Sequence, residues 1–460
     1  MTETKHIHLV GIGGIGLSAI ARVLLARGYR VSGSDPAPSP ITEALRAAGA
    51  QIYTSHRGEN ISPDTDLVVV TSAVSADNSE VLAARTLGIR IAKRREFLGE
   101  LTAGFRTVAI AGSHGKTTTT ALVGLILTRA GLDPNVIVGG MVPEFGSNAR
   151  IGKGEYFVIE ADEYDNAFLG LAPYIAIITN VDYDHPDIFP TREDYHRAFG
   201  EFVQRVQVGG ALIVCAQEQD ARQAATHATA HVIRYGVQEE DDWRAAEIRS
   251  NESGGFDFDV KHGGQALGRI SLCIPGRHNV LNALAAMAAV DYAGVGFETA
   301  RDVLGEYRGV GRRFQVRGEW DGVLIVDDYA HHPTEIRATL AAARARYPGR
   351  KLWAIFQPHT YTRTRALLNE FAGAFDEADT VIVTEIYAAR ERDTLGMSGQ
   401  DIVALMKHRD VHFLATLDDV VDYVGPRAAP GAVVITLGAG DVNRVGEHLA
   451  ELKHVQGFRT

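Results

Sequence analysis

The chain has 460 residues, of which 45% are hydrophobic and 22% charged, and this composition is typical of a globular protein of about three domains. The formal net charge of −11 argues against a nucleic-acid partner, since nucleic-acid binders are usually basic. There is no signal-peptide pattern and no apolar run of about 18 residues, and Cys215 and Cys273 lie in apolar runs, so we expect a cytoplasmic protein without membrane insertion.

The first segment alternates between strand and helix. Its predicted elements are a strand at 7–10, the loop Gly11-Ile-Gly-Gly-Ile-Gly16, a helix at 17–26, a strand at 29–32 and a strand at 66–71. This βαβ order predicts a parallel, doubly wound sheet, and the segment is expected to end near residue 104.

The glycine loop of this segment matches the dinucleotide-binding fingerprint. Gly11, Gly13 and Gly16 are spaced as that pattern requires, and Asp35 follows about twenty residues later. Taken alone, the pattern indicates a nicotinamide or flavin cofactor. Physically it indicates only that a pyrophosphate can rest on a helix N-terminus, so a nucleotide-sugar fits as well, and a tight turn without a ligand is the plain alternative.

A second glycine loop follows about a hundred residues later. A strand at 107–111 leads into Gly112-Ser-His-Gly-Lys-Thr117, and a helix is predicted at 118–130. Such a turn presents backbone N–H groups to a polyphosphate, with Lys116 reaching the outer phosphates and the Thr117 hydroxyl binding Mg²⁺. Ile110 stands where the usual nucleotide loop has its first glycine. The alternative is a chance Gly-Lys-Thr in a loop.

The rest of the chain continues the α/β pattern. Further strands of the second segment are predicted at 156–159, 175–179 and 211–215, followed by antiparallel strands within 232–274 and a helix after Asn279. Strands of the third segment are predicted at 323–326, 352–356, 380–384 and 433–437, with a helix at 333–347. We therefore expect three α/β domains, with bounds 1–104, 105–311 and 312–460.

Polar residues follow several of the predicted strands. In the second segment, Glu160 and His185 are candidate metal contacts, since ligands of parallel sheets lie beyond the carboxyl ends of strands. Oxygen ligands suit Mg²⁺, and imidazole is a less usual ligand for that ion. Asp162 and Asp187 are equally well explained as capping or turn residues.

The third segment carries two polar loops of the same kind. They are Asp327-Asp-Tyr-Ala-His-His-Pro333 and Gln357-Pro-His-Thr-Tyr-Thr-Arg-Thr-Arg365. Their arginines and histidines suit a carboxylate-bearing substrate and developing phosphoryl charge, although lone loop histidines such as His332 and His359 are usually structural. Arg312 and Arg313 lie at the second domain boundary, where they could close on a phosphate or simply belong to a linker.

Taken together, these motifs resemble the Mur ligases of peptidoglycan synthesis. The resemblance covers essentially the whole chain and also includes Glu160-Ala-Asp-Glu163, Asp184-His185, Gly276-Arg-His-Asn279, Gly311-Arg-Arg-Phe314 and Gly438-Ala-Gly440. It implies a Rossmann-like UDP-binding domain, a central P-loop ATPase-type domain whose parallel sheet is accompanied by a small antiparallel sheet, and a C-terminal Rossmann-like domain that brings an amino acid.

The resemblance also implies a reaction. ATP and Mg²⁺ would drive the ligation of L-alanine to UDP-N-acetylmuramate through an acyl phosphate, in a monomer or a homodimer. The first loop is thereby reassigned from a redox cofactor to the pyrophosphate of a UDP-sugar. The residues implied there are Gly11, Gly13, Gly14, Gly16 and Asp35.

Roles for individual residues follow from the same resemblance. ATP binding is implied for Gly112, Ser113, His114, Gly115, Lys116, Thr117, Thr118, Asn279 and Asp328, with His278 and Asn282 near the adenine. Lys116, Glu160, His185 and Arg313 would be catalytic, with Thr117, Glu160 and His185 as metal ligands. Tyr329, His331 and Arg363 would line the amino-acid pocket.

Departures from the family pattern leave the acceptor open. Tyr164 stands where a serine is usual in the family, and a tyrosine at this position is similar to the related muropeptide-recycling ligases. Thr360 stands where some members have an arginine. Alanine is therefore expected as acceptor, with glycine, serine or a peptide as alternatives. Outside this class, a nicotinamide-dependent dehydrogenase and a non-catalytic ATP-binding switch remain competing interpretations.

Overall fold

The structure is a computed structural model, and it describes residues 5–71, 73–389, 391–393 and 395–456, with side chains described up to residue 450. Within these residues the strands form three sheets of five, ten and six strands. Residues 1–4 and 457–460 of the predicted first and third domains lie outside the described part. Among the described residues, we find no helix that is both long and apolar enough to span a membrane.

The first sheet is parallel throughout and has the order β3-β2-β1-β4-β5. Its elements are β1 (His6–Val10), α1 (Ile15–Ala26), β2 (Arg30–Ser34), α2 (Pro40–Ala47), β3 (Gln51–Tyr53), β4 (Leu67–Val70), α3 (Ser79–Thr86), β5 (Arg90–Lys93) and α4 (Arg94–Thr102). The order changes direction at β1, so the glycine loop after β1 lies at the crevice where ligands of doubly wound sheets bind.

The second sheet has the order β15-β14-β13-β12-β11-β10-β6-β9-β7-β8. Its strands are β6 (Arg106–Ala111), β7 (Asn135–Val142), β8 (Ser147–Arg150), β9 (Tyr156–Glu160), β10 (Ile175–Ile178), β11 (Ala211–Cys215), β12 (His231–Gly236), β13 (Trp243–Ser250), β14 (Phe256–His262) and β15 (Gln265–Leu272). Its helices are α5 (Lys116–Arg129), α6 (Arg192–Val203), α7 (Gln219–Ala225), α8 (His278–Tyr292) and α9 (Phe297–Glu306). The second glycine loop joins β6, in the middle of the sheet, to α5.

The third sheet has the order β16-β17-β21-β18-β19-β20, with β16 antiparallel to β17. Its strands are β16 (Gln315–Trp320), β17 (Val323–Asp328), β18 (Leu352–Phe356), β19 (Thr380–Val383), β20 (Val411–Phe413) and β21 (Val433–Leu437). Its helices are α10 (Pro333–Arg346), α11 (Tyr361–Ala366), α12 (Leu368–Ala372), α13 (Gly399–Leu405), α14 (Leu417–Val424) and α15 (Asn443–Gln456).

The α/β class predicted from the sequence is confirmed, with one refinement in the central sheet. The antiparallel strands β13, β14 and β15 do not form a separate sheet, because β13 pairs in parallel with β12 at Tyr235 and Gly236. The central sheet is therefore one continuous mixed sheet. The sequence did not predict β7, in which Gly139 and Gly140 interrupt the apolar run, although this strand lies beside β9 at the site described below.

Buried apolar residues alternate between the two faces of the central sheet. Val108 and Ile110 of β6 pack against α5 and α8 on one face, while Ala109 belongs to a core that is continuous with the first domain through residues such as Leu17 and Phe97. The first domain is thus packed directly on the central sheet. Arg94, whose guanidinium lies against Gly16 of the first glycine loop, pairs with Asp162 of the central domain at 2.7 Å.

Candidate active site

The first glycine loop is held by main-chain contacts and by Asp35. Gly11 donates to the Ser34 carbonyl at 2.8 Å, and Gly13 donates to Asp35 Oδ2 at 3.0 Å. Gly14 is the N-cap of α1, and no side chain among the described residues caps that helix. The first N–H groups of α1 therefore lack an intrahelical or side-chain acceptor, which is the arrangement that binds an anion. Gly16 lies against the Arg94 guanidinium.

The second glycine loop also joins a strand to a helix, but side chains of the neighbouring loops pack closely against it. Gly112 has a φ of 131° and lies so close to Thr179 Oγ1 that a Cβ at this position would overlap it. Ser113 Oγ donates to the Asp182 carbonyl at 2.7 Å. Gly115 is the N-cap of α5, again without a side-chain cap among the described residues. Backbone N–H groups of a helix N-terminus are thus aimed at the space that the predicted polyphosphate would occupy.

Lys116 carries a positive charge in this loop. Its Nζ donates to the Gly112 carbonyl at 2.5 Å and lies 2.9 Å from Glu163 Oε2. The side chains are 13% and 1% exposed respectively, so the pair is largely shielded from water. Burial acts to lower the pKa of Lys116, but the surrounding carboxylates, Glu163 foremost, outweigh it and raise that pKa. The ammonium group of Lys116 can therefore leave its ion pair with Glu163 and bind a phosphate instead.

Glu160 and Thr117, two of the predicted metal ligands, lie together. Thr117 Oγ1 donates to Glu160 Oε1 at 3.1 Å, and the Gly139 N–H donates to Glu160 Oε2 at 2.7 Å. Burial raises the pKa of Glu160, while Lys116 acts in the opposite direction. Two oxygens bound at about 2.1 Å to adjacent corners of an octahedral Mg²⁺ lie about 3 Å apart. The spacing of Thr117 Oγ1 and Glu160 Oε1 fits that ion.

His185, the third predicted metal ligand, lies beside other carboxylates. Its Nε2 is 3.6 Å from Glu163 Oε1 and 3.7 Å from Asp184 Oδ2. The residue has a φ of 57°, which is uncommon outside glycine and is found at functional sites where the surroundings enforce it. Glu163 lies next to both Lys116 and His185 and so joins the two groups. Its role was not predicted from the sequence.

Arg363 reaches this group from the third domain. Its Nε donates to Asp184 Oδ1 at 2.7 Å and its Nη2 to Asp184 Oδ2 at 3.2 Å, and both side chains are at most 5% exposed. Burial acts to raise the pKa of Asp184, but Arg363 and His185 hold it well below its usual range. Arg363, which was predicted to bind the amino acid, is thus paired with Asp184, the residue before His185.

The other predicted amino-acid residues lie close to Arg363. The rings of Tyr329 and His331 are 5.3 Å apart, and the ring of His331 is 5.9 Å from that of His359, whose Nδ1 is 3.1 Å from Arg363 Nη1. Burial lowers the pKa of His331 to about 4, so its imidazole is neutral at pH 7. Tyr329, His331 and Arg363 are therefore brought together as predicted, and their role remains a prediction.

Most of the predicted nucleotide residues line one cleft between the second and third domains, whereas Gly112, Ser113 and Lys116 are not part of its lining. The cleft is lined by His114, Gly115, Thr118, Asn279, Arg313 and Asp328, among others. Asn279 Nδ2 donates to the Pro275 carbonyl at 2.7 Å, and Asn282 Nδ2 donates to Asn279 Oδ1 at 3.0 Å. His278 lines the same cleft, and burial lowers its pKa to about 4. Residues from both domains therefore face one space.

The two arginines at the domain boundary have different surroundings. Arg312 is a structural residue, since its Nε pairs with Asp327 Oδ2 at 3.0 Å and its Nη2 donates to the Gly438 carbonyl at 2.9 Å. Arg313 faces the cleft, with its Nη1 3.7 Å from Glu335 Oε1. Asp328 accepts from the Phe314 N–H at 2.8 Å, and burial raises its pKa to about 6. Asp328 thus anchors the backbone that presents Arg313.

His114 joins the second and third domains. Its Nε2 lies 3.0 Å from Asp182 Oδ2, and its Nδ1 lies 3.2 Å from Glu335 Oε1. Burial acts to lower the pKa of His114, but these two carboxylates outweigh it and raise the pKa to about 9. The His114 side chain is therefore protonated at pH 7 and holds the third domain against the second glycine loop.

Three carboxylates at the centre of this site were not predicted from the sequence. Asp184 and Glu335 pair with Arg363 and His114 of the other domain, while Asp182 pairs with His114 of its own domain and accepts from Thr334 Oγ1 of the third. The only sequence feature that could have pointed to these three residues was their position after a strand or in a polar loop. That position places each of them at a sheet edge, but it does not tell which residue of the other domain they meet.

Sequence comparison assigns a family profile to each part of the chain. Residues 6–106 match the profile described as Mur ligase family, catalytic domain, and residues 110–290 match the Mur ligase middle domain. Residues 312–440 match the Mur ligase, glutamate ligase domain.

Individual relatives align over almost the full chain. The UDP-N-acetylmuramate–L-alanine ligase of Caldanaerobacter subterraneus is 44% identical over 98% of either chain, and that of Solibacter usitatus is 45% identical over 98% of this chain and 96% of the relative. The crystal structure of the UDP-N-acetylmuramate-alanine ligase from Thermotoga maritima superposes with a TM-score of 0.83, at 30% identity and 99% and 100% coverage. A murein peptide ligase from Psychrobacter arcticus gives 0.77, at 27% identity and 97% and 99% coverage.

Proposed function

The chain belongs to the Mur ligase family, and from that premise we propose that its substrates are ATP, UDP-N-acetylmuramate and L-alanine. It is an ATP-dependent, amide-bond-forming ligase that joins L-alanine to UDP-N-acetylmuramate in peptidoglycan synthesis. The observation that carries this function is the convergence of two domains on one glycine loop. Lys116 and Glu160 come from the central domain, and Glu335 of the third domain lies 3.2 Å from His114 of the loop. Arg363, also of the third domain, pairs with Asp184 of the central domain.

In the first step, the lactyl carboxylate of the sugar attacks the γ-phosphate of ATP, so that an acyl phosphate forms and ADP leaves. Lys116 binds the outer phosphates, and Arg313, which lines the cleft between the second and third domains, neutralises the charge that the phosphoryl group carries during transfer. In the second step, the amine of alanine attacks the activated carbonyl and phosphate leaves. Both steps depend mainly on positioning and charge neutralisation, which is why the domains must close together.

Mg²⁺ fits the oxygens of Thr117 and Glu160, whose spacing was described above. When bound there, Mg²⁺ supplies positive charge to the phosphates. His185 belongs to the same proposal as a third contact. The nitrogen donor is less usual for this ion, and His185 Nε2 lies beside the carboxylates of Glu163 and Asp184, while its Nδ1 lies 3.3 Å from Arg363 Nη2.

The two remaining substrates are assigned to the flanking domains. We place the pyrophosphate of the UDP-sugar on the uncapped N-terminus of α1, within Gly11, Gly13, Gly14 and Gly16, with Asp35 fixing the loop. We place alanine beside Tyr329 and His331. Because Arg363 is already paired with Asp184, its role toward the alanine carboxylate requires that the carboxylate share or replace this partner.

The same proposal covers the domains and the setting of the enzyme. We assign UDP-sugar binding to residues 1–104, ATP binding to 105–311 and amino-acid binding to 312–460. We place the protein in the cytoplasm as a monomer or homodimer, with no nucleic-acid partner.

The decisive experiment measures phosphate release with ATP, Mg²⁺ and UDP-N-acetylmuramate in five parallel reactions: no acceptor, L-alanine, glycine, L-serine and a free tripeptide that begins with L-alanine. We expect release that depends strongly on L-alanine, and mass spectrometry should find UDP-N-acetylmuramoyl-L-alanine as product. Release that depends only on the tripeptide would instead make the chain a recycling ligase. ATP binding without turnover for any acceptor would contradict the ligase function altogether.

A further inference from the structure

A compact group of metal-ligating side chains lies outside the residues assigned to Mg²⁺. His114 of the second glycine loop, Asp182 beyond β10 and His332 at the N-cap of α10 each offer one ligand atom, and these atoms all lie within 4.8 Å of one another. We name these three residues the interdomain triad. Two of them come from the central domain and one from the third, so the triad exists only while those domains are in contact.

The spacing of the triad fits a tetrahedral metal. His114 Nε2 lies 3.0 Å from Asp182 Oδ2, and His332 Nδ1 lies 3.5 Å from the same oxygen. Ligand atoms about 2.0 Å from a tetrahedral Zn²⁺ are about 3.3 Å apart, which falls between these two distances. These two pairs therefore need shifts of only a few tenths of an ångström to accept such an ion, and His332 Nδ1 must give up the hydrogen bond that it accepts from the Thr334 N–H at 3.3 Å.

The outer partners of both histidines also match a metal site. Metal-ligating histidines usually give their second ring nitrogen to a carboxylate or a backbone carbonyl, which fixes the ring orientation. His114 places its Nδ1 3.2 Å from Glu335 Oε1, and His332 places its Nε2 3.3 Å from the Tyr183 carbonyl. Thr334 Oγ1 donates to Asp182 Oδ2 at 2.7 Å, so the carboxylate is held in place as well. All three ligands are thus oriented from outside the triad.

We propose that the interdomain triad is a binding site for Zn²⁺ or a similar transition-metal ion, through His114 Nε2, Asp182 Oδ2 and His332 Nδ1. Two imidazoles and one carboxylate favour zinc-like ions over Mg²⁺, which prefers oxygen ligands. The His332 side chain is 4% exposed, while that of Asp182 is 33% exposed and gives the ion a path from solvent. Binding releases the proton that His114 holds between its two carboxylates.

The bound ion connects the second glycine loop to the third domain. A bond from His332 Nδ1 to the ion crosses this boundary, where the structure has that nitrogen 3.5 Å from Asp182 Oδ2, so the domains separate more slowly. The inference goes beyond the proposed function, because the ion is not a cofactor of the reaction. Its expected consequence is inhibition of turnover by zinc even when Mg²⁺ is in excess.

The test uses the full-length protein freed of metal by chelation, with Co²⁺ as a spectroscopic probe and Zn²⁺ in calorimetry, both in excess Mg²⁺. We expect one equivalent of tightly bound ion in the wild type and an intense visible band for tetrahedral Co²⁺. His332→Ala is expected to weaken binding by at least about 100-fold, and Glu335→Gln by about 10-fold through loss of the carboxylate that orients His114.

Two controls separate this site from others. His185→Ala alters the histidine assigned to Mg²⁺ and should leave the Co²⁺ band of the triad in place. His412→Ala removes a histidine that lies 2.8 Å from Asp410 in the third domain, outside the triad, and should also leave it unchanged. If His332→Ala does not fold, Asp182→Asn tests the same ligand set.

Three outcomes would overturn the inference: no binding beyond that of simple adventitious sites, equal binding by the wild type and the ligand variants, or loss of the band in His185→Ala alone. Because binding is measured without turnover, the result is independent of whether L-alanine is the acceptor. Zinc inhibition of phosphate release that disappears in His332→Ala would confirm that the ion acts through the triad.

Discussion

The two glycine loops of this chain have the same local design and different surroundings. Each follows a buried parallel strand and begins a helix at a glycine that no described side chain caps. The first loop is fixed by main-chain bonds and by Asp35, with Arg94 against Gly16. The second contains Lys116, faces Glu160 and Glu163, and receives Glu335 from another domain.

This difference shows what a glycine pattern can predict and what it cannot. The pattern determines that a helix N-terminus is open to a phosphate, because glycine allows the tight turn and the close approach. The chemistry is decided by the charged side chains that meet the loop. The first loop is suited to holding a diphosphate in place, and the second to moving a phosphoryl group.

The largest effect is expected from removing Lys116, the positively charged residue of the second loop. Lys116→Ala should reduce kcat by at least about 1000-fold, because positioning and charge are most of phosphoryl-transfer catalysis. It should also destabilise the protein by about 3–5 kcal/mol, since Glu163 is left buried without its partner. Phosphate-release kinetics and thermal denaturation measure the two effects.

A double variant separates catalysis from stability at this position. Lys116→Met combined with Glu163→Gln removes both charges, so we expect stability near that of the wild type and activity as low as in Lys116→Ala. Near-normal turnover in either variant would show that the second loop does not bind the transferred phosphate, and the contrast between the loops would be lost.

A smaller effect is expected at Arg363, where the third domain meets the residues around His185. Arg363→Ala should raise the KM for L-alanine by at least about 10-fold while the KM for ATP changes less than about threefold, a difference of more than about 0.7 kcal/mol in binding. Steady-state kinetics with each substrate varied in turn provides the measurement. Stability should also fall, because Asp184 loses a buried partner.

Combining Arg363→Ala with Asp184→Asn should restore stability without restoring the KM for alanine. An equal rise of both KM values in Arg363→Ala would instead place Arg363 at the nucleotide and not at the amino acid.

The first loop is tested by adding a methyl group where it is tightest. A Cβ at Gly13 would lie 2.6 Å from Asp35 Oδ2, so the loop must shift. Gly13→Ala should therefore raise the KM for UDP-N-acetylmuramate by about 10-fold, or about 1.4 kcal/mol, and leave the KM for ATP unchanged. Gly58→Ala is the matched control in the same domain, since its nearest neighbour is at an ordinary 3.4 Å. A rise in the KM for ATP would mean that the two loops do not serve separate ligands.

The smallest effect concerns the pH dependence of the contact between His114 and the third domain. The folded pKa of His114, about 9, lies above its value of about 6.5 in an unfolded chain. Its stabilising contribution is therefore fully present below about pH 6.5 and is lost as the pH rises through about 9. In metal-free buffer we expect Tm to fall by a few degrees across this range in the wild type.

Two variants check the assignment of this titration. His114→Asn should abolish the step in Tm, and Glu335→Gln should move it to lower pH because one of the two carboxylates that hold the proton is gone. An unchanged step in His114→Asn would assign the titration to another group.

Most of the fold could be predicted from hydrophobic runs. The strands at Ala211–Cys215, Leu352–Phe356 and Val433–Leu437 have the predicted bounds, because strands buried on both faces read as continuous apolar sequence. Strand Asn135–Val142 was missed because Gly139 and Gly140 hide the pattern. That strand matters for the site, since the Gly139 N–H binds Glu160.

The candidate site was predicted less completely than the fold. Residues within one loop, such as Gly112 to Thr117, could be predicted to lie together, because they are adjacent in the sequence. Glu163, Asp184 and Glu335 could be placed at a strand end or in a polar loop but not paired, because their partners Lys116, Arg363 and His114 lie 47, 179 and 221 positions away in the chain.

The sequence by itself determined the α/β class, the two anion-binding turns and, by resemblance, the reaction. These depend on local spacing, since a strand, a glycine turn and a helix N-terminus form within about twenty residues. Only the tertiary structure decided which charges face each other. Coulomb energies depend on the distance and the burial of both partners, and packing of the three domains sets these quantities for Lys116, His114 and Arg363.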